Sequence, residues 1–270
     1  MNNARYFELN HHLPKLQLLE VFPLVPFLWL RGGMVSIDVG ANTGLWSEAY
    51  LRNFGARTAR HIMVEPMPAN AERLRRRSDN VLKKLCAGVE IREAAMGDNA
   101  GDVVIHFDSD VTTLASVRSA SSDLGHTVVN LSRSITVPQL RLDDEIARLG
   151  VEQVDFMKVD VEGYEQAVFD GSAAAIADGR IRNILFEFGV HQTVHGETLA
   201  GYFDFFRRHG YRMYRSHRAR NFFGLTEIAP YTPAHEPTGS GVEMLLVTLD
   251  GPDPRYSGPR VVTRQPVPPA

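Results

Sequence analysis

The sequence has almost no cysteine, no marked excess of either charge and no long apolar run, and each shortage removes a class of function. A single cysteine, Cys86, excludes an intramolecular disulfide framework and any zinc site built on thiolates. A reducing cytoplasm suits it best. The formal net charge of -3 over 270 residues offers no broad cationic surface, so nucleic acid is not expected as a partner. The one basic cluster, Arg73 to Arg77, reads as the solvated face of a helix. The most apolar stretch near the start, Leu16 to Leu30, is interrupted by Glu20, Pro23 and Pro26, whereas a spanning helix needs ~20 nearly unbroken apolar residues. Stable membrane insertion is therefore not expected. Trp29-Leu30-Arg31 also makes a poor signal-peptide cleavage site, and the stretch reads as a helix and turn packed on the domain.

What is present is enough apolar residue, 44%, for one large domain, and a regular exchange of short β-rich runs with helical ones. The clearest run is Val35-Ser36-Ile37-Asp38-Val39, a buried strand by its β-branched residues, which empties into Gly40-Ala41-Asn42-Thr43-Gly44 and then a helix from Leu45 to Phe54. Glycines there let the chain turn sharply and approach a ligand. A dinucleotide fingerprint would read Gly-x-Gly-x-x-Gly; here the spacing is Gly40-x-x-x-Gly44, with Asp38 on the incoming strand. An acidic residue at that place suits a ligand carrying a positively charged amino group, which S-adenosylmethionine has and NAD lacks. The second strand, His61 to Val64, stops at Glu65-Pro66, where α/β nucleoside-binding folds place a carboxylate on the ribose hydroxyls and where proline turns the chain away.

Further along, a helix is expected over Ala69 to Leu85, a third strand over Val89 to Ala95, and a turn at Gly97 to Gly101. Two β-rich runs, Val103 to Phe107 and Ser134 to Leu140, have no helix between them and suggest a β-hairpin insertion, its connection from Asp108 to Ser134 polar enough for a lid. Asp143, Asp144 and Glu145 open a short helix, which explains them as capping residues better than as metal ligands; no metal site is expected. Val154 to Val161 starts as an apolar strand and ends in charge, with Lys158 and Asp160 on one side and Glu162 continuing it if the extension persists. A lysine in a buried strand needs a partner, and Asp160 or Glu162 can supply one. A fifth strand, Ile184 to Phe188, carries Glu187 and is followed by His191. The run Tyr211 to Tyr214 and the run Val242 to Thr248 close the sheet around a polar loop, Arg215 to Gly241.

Together these runs predict an α/β fold with a doubly wound, mostly parallel sheet, a C-terminal antiparallel hairpin and a β-hairpin insertion. The organisation expected is an N-terminal helical segment over residues 1–33, one catalytic domain over 34–249 and a proline-rich tail over 250–270.

Asp38-Val39-Gly40-Ala41-Asn42-Thr43-Gly44, Glu65-Pro66, Gly97-Asp98 with Gly101, Leu142-Asp143-Asp144, the block Lys158 to Glu165 and Phe186-Glu187 closely resemble the FkbM-type S-adenosylmethionine-dependent methyltransferases, over about Val35 to Val247. The resemblance implies a class I methyltransferase, Rossmann-like fold and, usually, O-methylation of a hydroxyl on a sugar or natural product. It also implies that Asp38, Gly40, Ala41, Asn42, Thr43, Gly44, Glu65, Pro66, Ala95, Met96 and Asp160 surround the cofactor. An alcohol is a poor nucleophile, so a base near its proton should help. Asp160 and Glu162 are the first candidates, Glu187 and His191 the next, with Lys158 orienting a carboxylate or the acceptor oxygen. The expected partner is a small-molecule or glycan acceptor, and an oligomer is compatible with the sequence. N-methylation, a nucleotide-dependent oxidoreductase and a non-catalytic S-adenosylmethionine-binding protein are the alternatives.

Overall fold

The computed structural model describes residues 21, 24–28, 31–108, 115–117, 131–218, 226–230 and 243–250. Its strands are β1 (Met34–Val39), β2 (Thr58–Val64), β3 (Val89–Arg92), β4 (Ala95–Met96), β5 (Gly101–Phe107), β6 (Arg133–Leu140), β7 (Phe156–Val159), β8 (Asn183–Phe188), β9 (Arg212–Arg218), β10 (Thr226–Pro230) and β11 (Glu243–Thr248). The helices used below are α1 (Val25–Leu28), α2 (Leu45–Phe54), α3 (Pro68–Arg77), α4 (Lys83–Leu85), α5 (Leu142–Arg148), α6 (Glu165–Asp170), α7 (Ala173–Ala177), α8 (Val190–Val194) and α9 (Leu199–Arg208).

The main sheet has the order β10-β9-β11-β8-β7-β1-β2-β3. Strands β3, β2, β1, β7 and β8 are parallel, and β11 runs antiparallel between β8 and β9. The predicted α/β sheet, mostly parallel and closed by antiparallel C-terminal strands, is therefore present. So is the hairpin insertion: β5 and β6 pair antiparallel, and β4 joins them in a small second sheet.

Two-residue periodicity decides which side chains meet which layer. Ile37 and Val39 of β1, Met157 and Val159 of β7, and Ile184 and Phe186 of β8 enter a core with Ile146, Phe169, Ile176, Tyr202 and Phe206, from α5, α6, α7 and α9. The alternate positions face α2. On that side Met34, Met63, Phe156 and Leu185 pack against Trp46, Tyr50 and Phe54, with Leu24, Phe27 and Leu28 from the N-terminal stretch beside them. The same alternate set includes Ser36, Asp38, His61 and Lys158, all buried. An otherwise apolar layer thus holds a polar stripe.

Four expectations need correction. The single strand expected over Val89 to Ala95 is two, because β3 pairs with β2 while Ala95 and Met96 leave that sheet to pair with Gln139 and Leu140. The long helix from Ala69 is interrupted by a π-helical turn at Ser78–Leu82 before α4. Within the expected polar loop, residues 215–218 extend β9 and Thr226–Pro230 forms β10. Asp143, read as capping its own helix, instead accepts the backbone N–H groups of Ala174 and Ala175 at the start of α7, at 3.1 and 2.9 Å. The expected lid lies outside the described residues except at 108, 115–117 and 131–134, as do most of the N-terminal segment and the tail beyond 250.

Candidate active site

The carboxyl ends of β1, β2, β7 and β8 meet at one edge of the sheet, and the predicted residues gather there. Gly40 turns the chain after β1 with φ 79°, and a Cβ built on it would lie 1.9 Å from the carbonyl oxygen of Asp160. Only glycine allows the two turns to touch. Five successive amides of the turn are already satisfied. Gly40 and Ala41 donate to the Val64 carbonyl, both at 3.0 Å, Asn42 to Glu65 Oε2 at 2.8 Å, Thr43 to Asn42 Oδ1 at 2.7 Å, and Gly44 to the Ala41 carbonyl at 2.9 Å. A phosphate cradle presents such N–H groups to the ligand; this turn turns them inward.

Glu65 is 4% exposed. Besides Asn42, it accepts the Met67 N–H at 2.9 Å and the Asn70 side chain at 3.4 Å. Burial pushes its carboxyl up to about 7, against those hydrogen bonds. Pro66 follows half-buried, and Ala95 and Met96 are buried in β4, Ala95 in the same apolar cluster as Met67.

Asp38 lies beneath the turn, wholly buried. Ser47 of α2 donates to its Oδ2 at 2.5 Å, while Oδ1 has no hydrogen-bond donor and stands 3.8 Å from Lys158 Nζ. Burial raises the carboxyl and Lys158 opposes the rise. Lys158, only 3% exposed, donates to Asp160 Oδ2 at 2.9 Å and lies 5.5 Å over the Trp46 ring. Its expected partner is thus Asp160, with Asp38 as a second.

β7 ends at Val159, so Glu162 does not continue it. The chain turns through Glu162 at φ 54° and Gly163 at φ 95°, and a Cβ on Gly163 would come within 3.0 Å of His191 Cβ. Left-handed geometry at a glutamate is strained, a feature that collects at functional sites. Glu162 Oε2 sits 3.3 Å from His191 Nε2. Burial, then the charges of Asp160 and Glu165, hold the Glu162 carboxyl well above the usual range; burial and His195 depress His191. Glu187 is half-buried at the end of β8.

Several residues here were given no role in the site from sequence. Glu165 accepts the Val161 and Gly163 N–H groups at 3.1 and 3.4 Å and a bond from Gln192 at 2.5 Å, tying the turn to α8. Ser116, beyond the hairpin strand, donates to the Glu162 carbonyl at 2.9 Å. Arg77, read as part of a solvated face, donates to the Thr43 carbonyl at 2.8 Å and pairs with Glu48, clamping the turn from outside. The available signal was position: Arg77 falls three residues after Leu74, the helix residue that packs on the core.

The set fits S-adenosylmethionine. Orphaned Asp38 Oδ1, the Glu65 carboxylate and Asp160 are acceptors for a ligand that donates hydrogen bonds through hydroxyls and an ammonium. Among the described residues, no group of three or more His, Cys, Asp or Glu could hold a metal ion, and no helix is long and apolar enough to cross a membrane.

Residues 38–213 match the family model of the methyltransferase FkbM domain. Among solved structures, the chain is similar to methyltransferase FkbM from Methylobacillus flagellatus KT, at 17% identity and TM-score 0.47, covering 87% of this chain and 50% of that one. Precorrin-6y C5,15-methyltransferase from Geobacter metallireducens GS-15 aligns at 13% identity and TM-score 0.43, covering 87% and 88%. An O-methyltransferase from Bacillus cereus in complex with SAH aligns at 12% identity and TM-score 0.40, covering 86% and 80%. The chain spans half the length of the Methylobacillus protein. No curated protein matches it. The family model covers well over half of the residues, from the Asp38 turn to β9, and the chain belongs to the FkbM methyltransferase family.

Proposed function

We propose that this methyltransferase transfers a methyl group to a hydroxyl of a sugar or natural product. Its cofactor, S-adenosylmethionine, supplies an electrophilic methyl on a sulfonium. Glu65 would hold the ribose hydroxyls, and Asp38 and Asp160 the positive methionine end, against the turn Gly40 to Gly44. The observation that carries the reading is the inward pairing of all five turn amides beside three buried or half-buried carboxylates: this edge accepts hydrogen bonds and suits no pyrophosphate. That chemistry also disfavours a nucleotide-dependent oxidoreductase.

The acceptor hydroxyl would lose its proton to a base of the chain as its oxygen forms the new C–O bond and the methyl–sulfur bond breaks, the cofactor leaving as a neutral thioether. Asp160, oriented by Lys158, and Glu162 with His191 are placed for that work. His191, depressed by burial, is neutral and able to accept a proton at neutral pH. Alignment supplies much of the remaining acceleration. The Glu162–His191 pair favours oxygen over nitrogen as the methylated atom, since an amine needs less help from a base.

Calorimetric titration with S-adenosylmethionine and with NADH, followed by incubation of labelled S-adenosylmethionine with glycosides, macrolides and small phenols, tests the reading. Binding of S-adenosylmethionine alone and label on a hydroxyl are expected. Glu65→Ala should weaken cofactor binding about tenfold or more, as loss of charge-assisted hydrogen bonds does. Asp160→Asn should lose turnover and weaken the cofactor as well, and Glu162→Gln should lose turnover while retaining the cofactor. Full turnover in both removes the proposed base.

A further inference from the structure

Under the active-site turn runs a chain of buried polar groups that starts at Ser36 and ends on Asp38. Ser36 Oγ lies 2.8 Å from His61 Nδ1, His61 Nε2 lies 2.9 Å from Ser47 Oγ, and Ser47 Oγ lies 2.5 Å from Asp38 Oδ2. Ser36, Asp38, Ser47 and His61 are each 0% exposed. With Asp38 ionised, one direction of donation satisfies all three contacts, the Arg60 carbonyl at 3.5 Å from Ser36 Oγ being a weaker competing acceptor than His61 Nδ1 at 2.8 Å. A carboxylate only accepts, so the one Ser47 proton points at Asp38; the Ser47 oxygen then receives a proton from His61 Nε2, and the bare Nδ1 receives one from Ser36. The imidazole is thereby fixed as the neutral Nε2–H tautomer. Burial agrees, lowering its basicity to about 3.

The stripe ends at the site. Asp38 Oδ1 faces Lys158, which in turn grips Asp160 at 2.9 Å. Were Ser47 free to rotate, Asp38 would be a buried carboxylate with no fixed donor and Lys158 would have two competing partners. The ring of Tyr50 stacks on His61 with centroids 5.5 Å apart and an 18° interplanar angle, so the imidazole plane is held as well as its protons.

We propose that His61 is a positioning residue for the active site: as the Nε2–H tautomer it locks the Ser47 hydroxyl onto Asp38, which leaves Asp38 Oδ1 for Lys158 and so sets where Asp160 stands. The proposal rests on the reading of this edge as the S-adenosylmethionine pocket. His61→Gln carries an amide N–H at the reach of Nε2 and should keep cofactor affinity close to wild type. His61→Asn, whose amide matches only Nδ1, and Ser47→Ala should each weaken S-adenosylmethionine about tenfold or more, the usual effect of losing a hydrogen bond that ends on a charge. Calorimetry on the full chain reads the affinities, with circular dichroism confirming the fold. Nitrogen-15 spectra of histidine-labelled wild-type protein give an independent readout, and one imidazole should remain a non-titrating Nε2–H tautomer from pH 5 to about 8. Equal affinity in His61→Asn, Ser47→Ala and wild type overturns the proposal, as does a buried imidazole protonated on Nδ1. A wild-type chain that binds no S-adenosylmethionine overturns the proposed function itself, and the proposal with it.

Discussion

Glu65 shows burial and function pulling a single carboxyl in opposite directions. Its ordinary pKa is near 4.3 and burial lifts it to about 7, so the folded protein holds this proton more tightly than the unfolded chain does. In the free protein its stabilising contribution is therefore full at acid pH and declines as pH rises from about 4.3 towards 7. Ribose hydroxyls donate hydrogen bonds, which favour the ionised form. Cofactor binding should then expel a proton, and affinity should rise roughly tenfold between pH 6 and 8, then level off. Titrations in buffers of different ionisation enthalpy measure the release; Glu65→Gln should abolish this pH dependence, and an unchanged slope in that variant would refute the assignment. Glu65 was legible in the sequence because strand, acid and proline are adjacent. His61, Ser47 and Arg77 were not, since each gains meaning from a partner 9 to 34 residues away. One clue was available: His61 shares the two-residue face of Glu65.

At the scale of elements, the turn between β7 and α6 is held by Glu165, the first residue of its own helix, rather than by the strand that leads into it. Its buried carboxylate gathers the Val161 and Gly163 amides and, through Gln192, the start of α8 that carries His191. Glu165→Ala should leave two amides and Gln192 without their acceptor, a loss of about 2–4 kcal/mol by the usual penalty for stranded buried donors. Glu165→Gln retains one acceptor oxygen and should lose less. Thermal denaturation ranks the two, and equal melting temperatures in both would show that the carboxylate does not hold the turn. Elements with a local signature were read correctly. β1, β2, β7 and β8 alternate or run apolar for a strand's length, α2 ends at Gly55, and the β5–β6 hairpin shows as two β-rich runs with no helix between. What escaped depends on distant pairing. Only β6, more than 40 residues on, gives Ala95 and Met96 a sheet of their own, and only β9 makes Thr226–Pro230 a strand.

Across the whole molecule the two ends of the sheet divide their work. At the carboxyl ends stand Asp38, Glu65, Asp160 and Glu187. At the opposite end Asp155 accepts the Val35 N–H at 3.0 Å and pairs with Arg31 at 3.5 Å, while Asp250 bridges Arg31 and Arg182 at 2.5 and 2.6 Å. That cluster clasps the chain before β1 to the residues before β7 and after β11. Asp155 and Asp160 bracket β7 and stand about 16 Å apart at strand rise, beyond the range over which substitutions usually couple. Asp155→Ala strips a backbone N–H of its acceptor and should lower stability by ~1–2 kcal/mol, or about 3–6 °C in melting temperature for a chain of this size, since the half-buried Arg31 pair, at 3.5 Å, adds little. Cofactor affinity should stay within about twofold of wild type, because the carboxyl ends of the strands keep their register. Asp160→Asn should do the reverse, losing turnover with little change in melting temperature. The double variant should then show the sum of both effects. A large coupling between the two, measured as the departure from additivity in stability or in turnover, would mean that the sheet transmits strain along β7 and that clasp and active site are one cooperative unit.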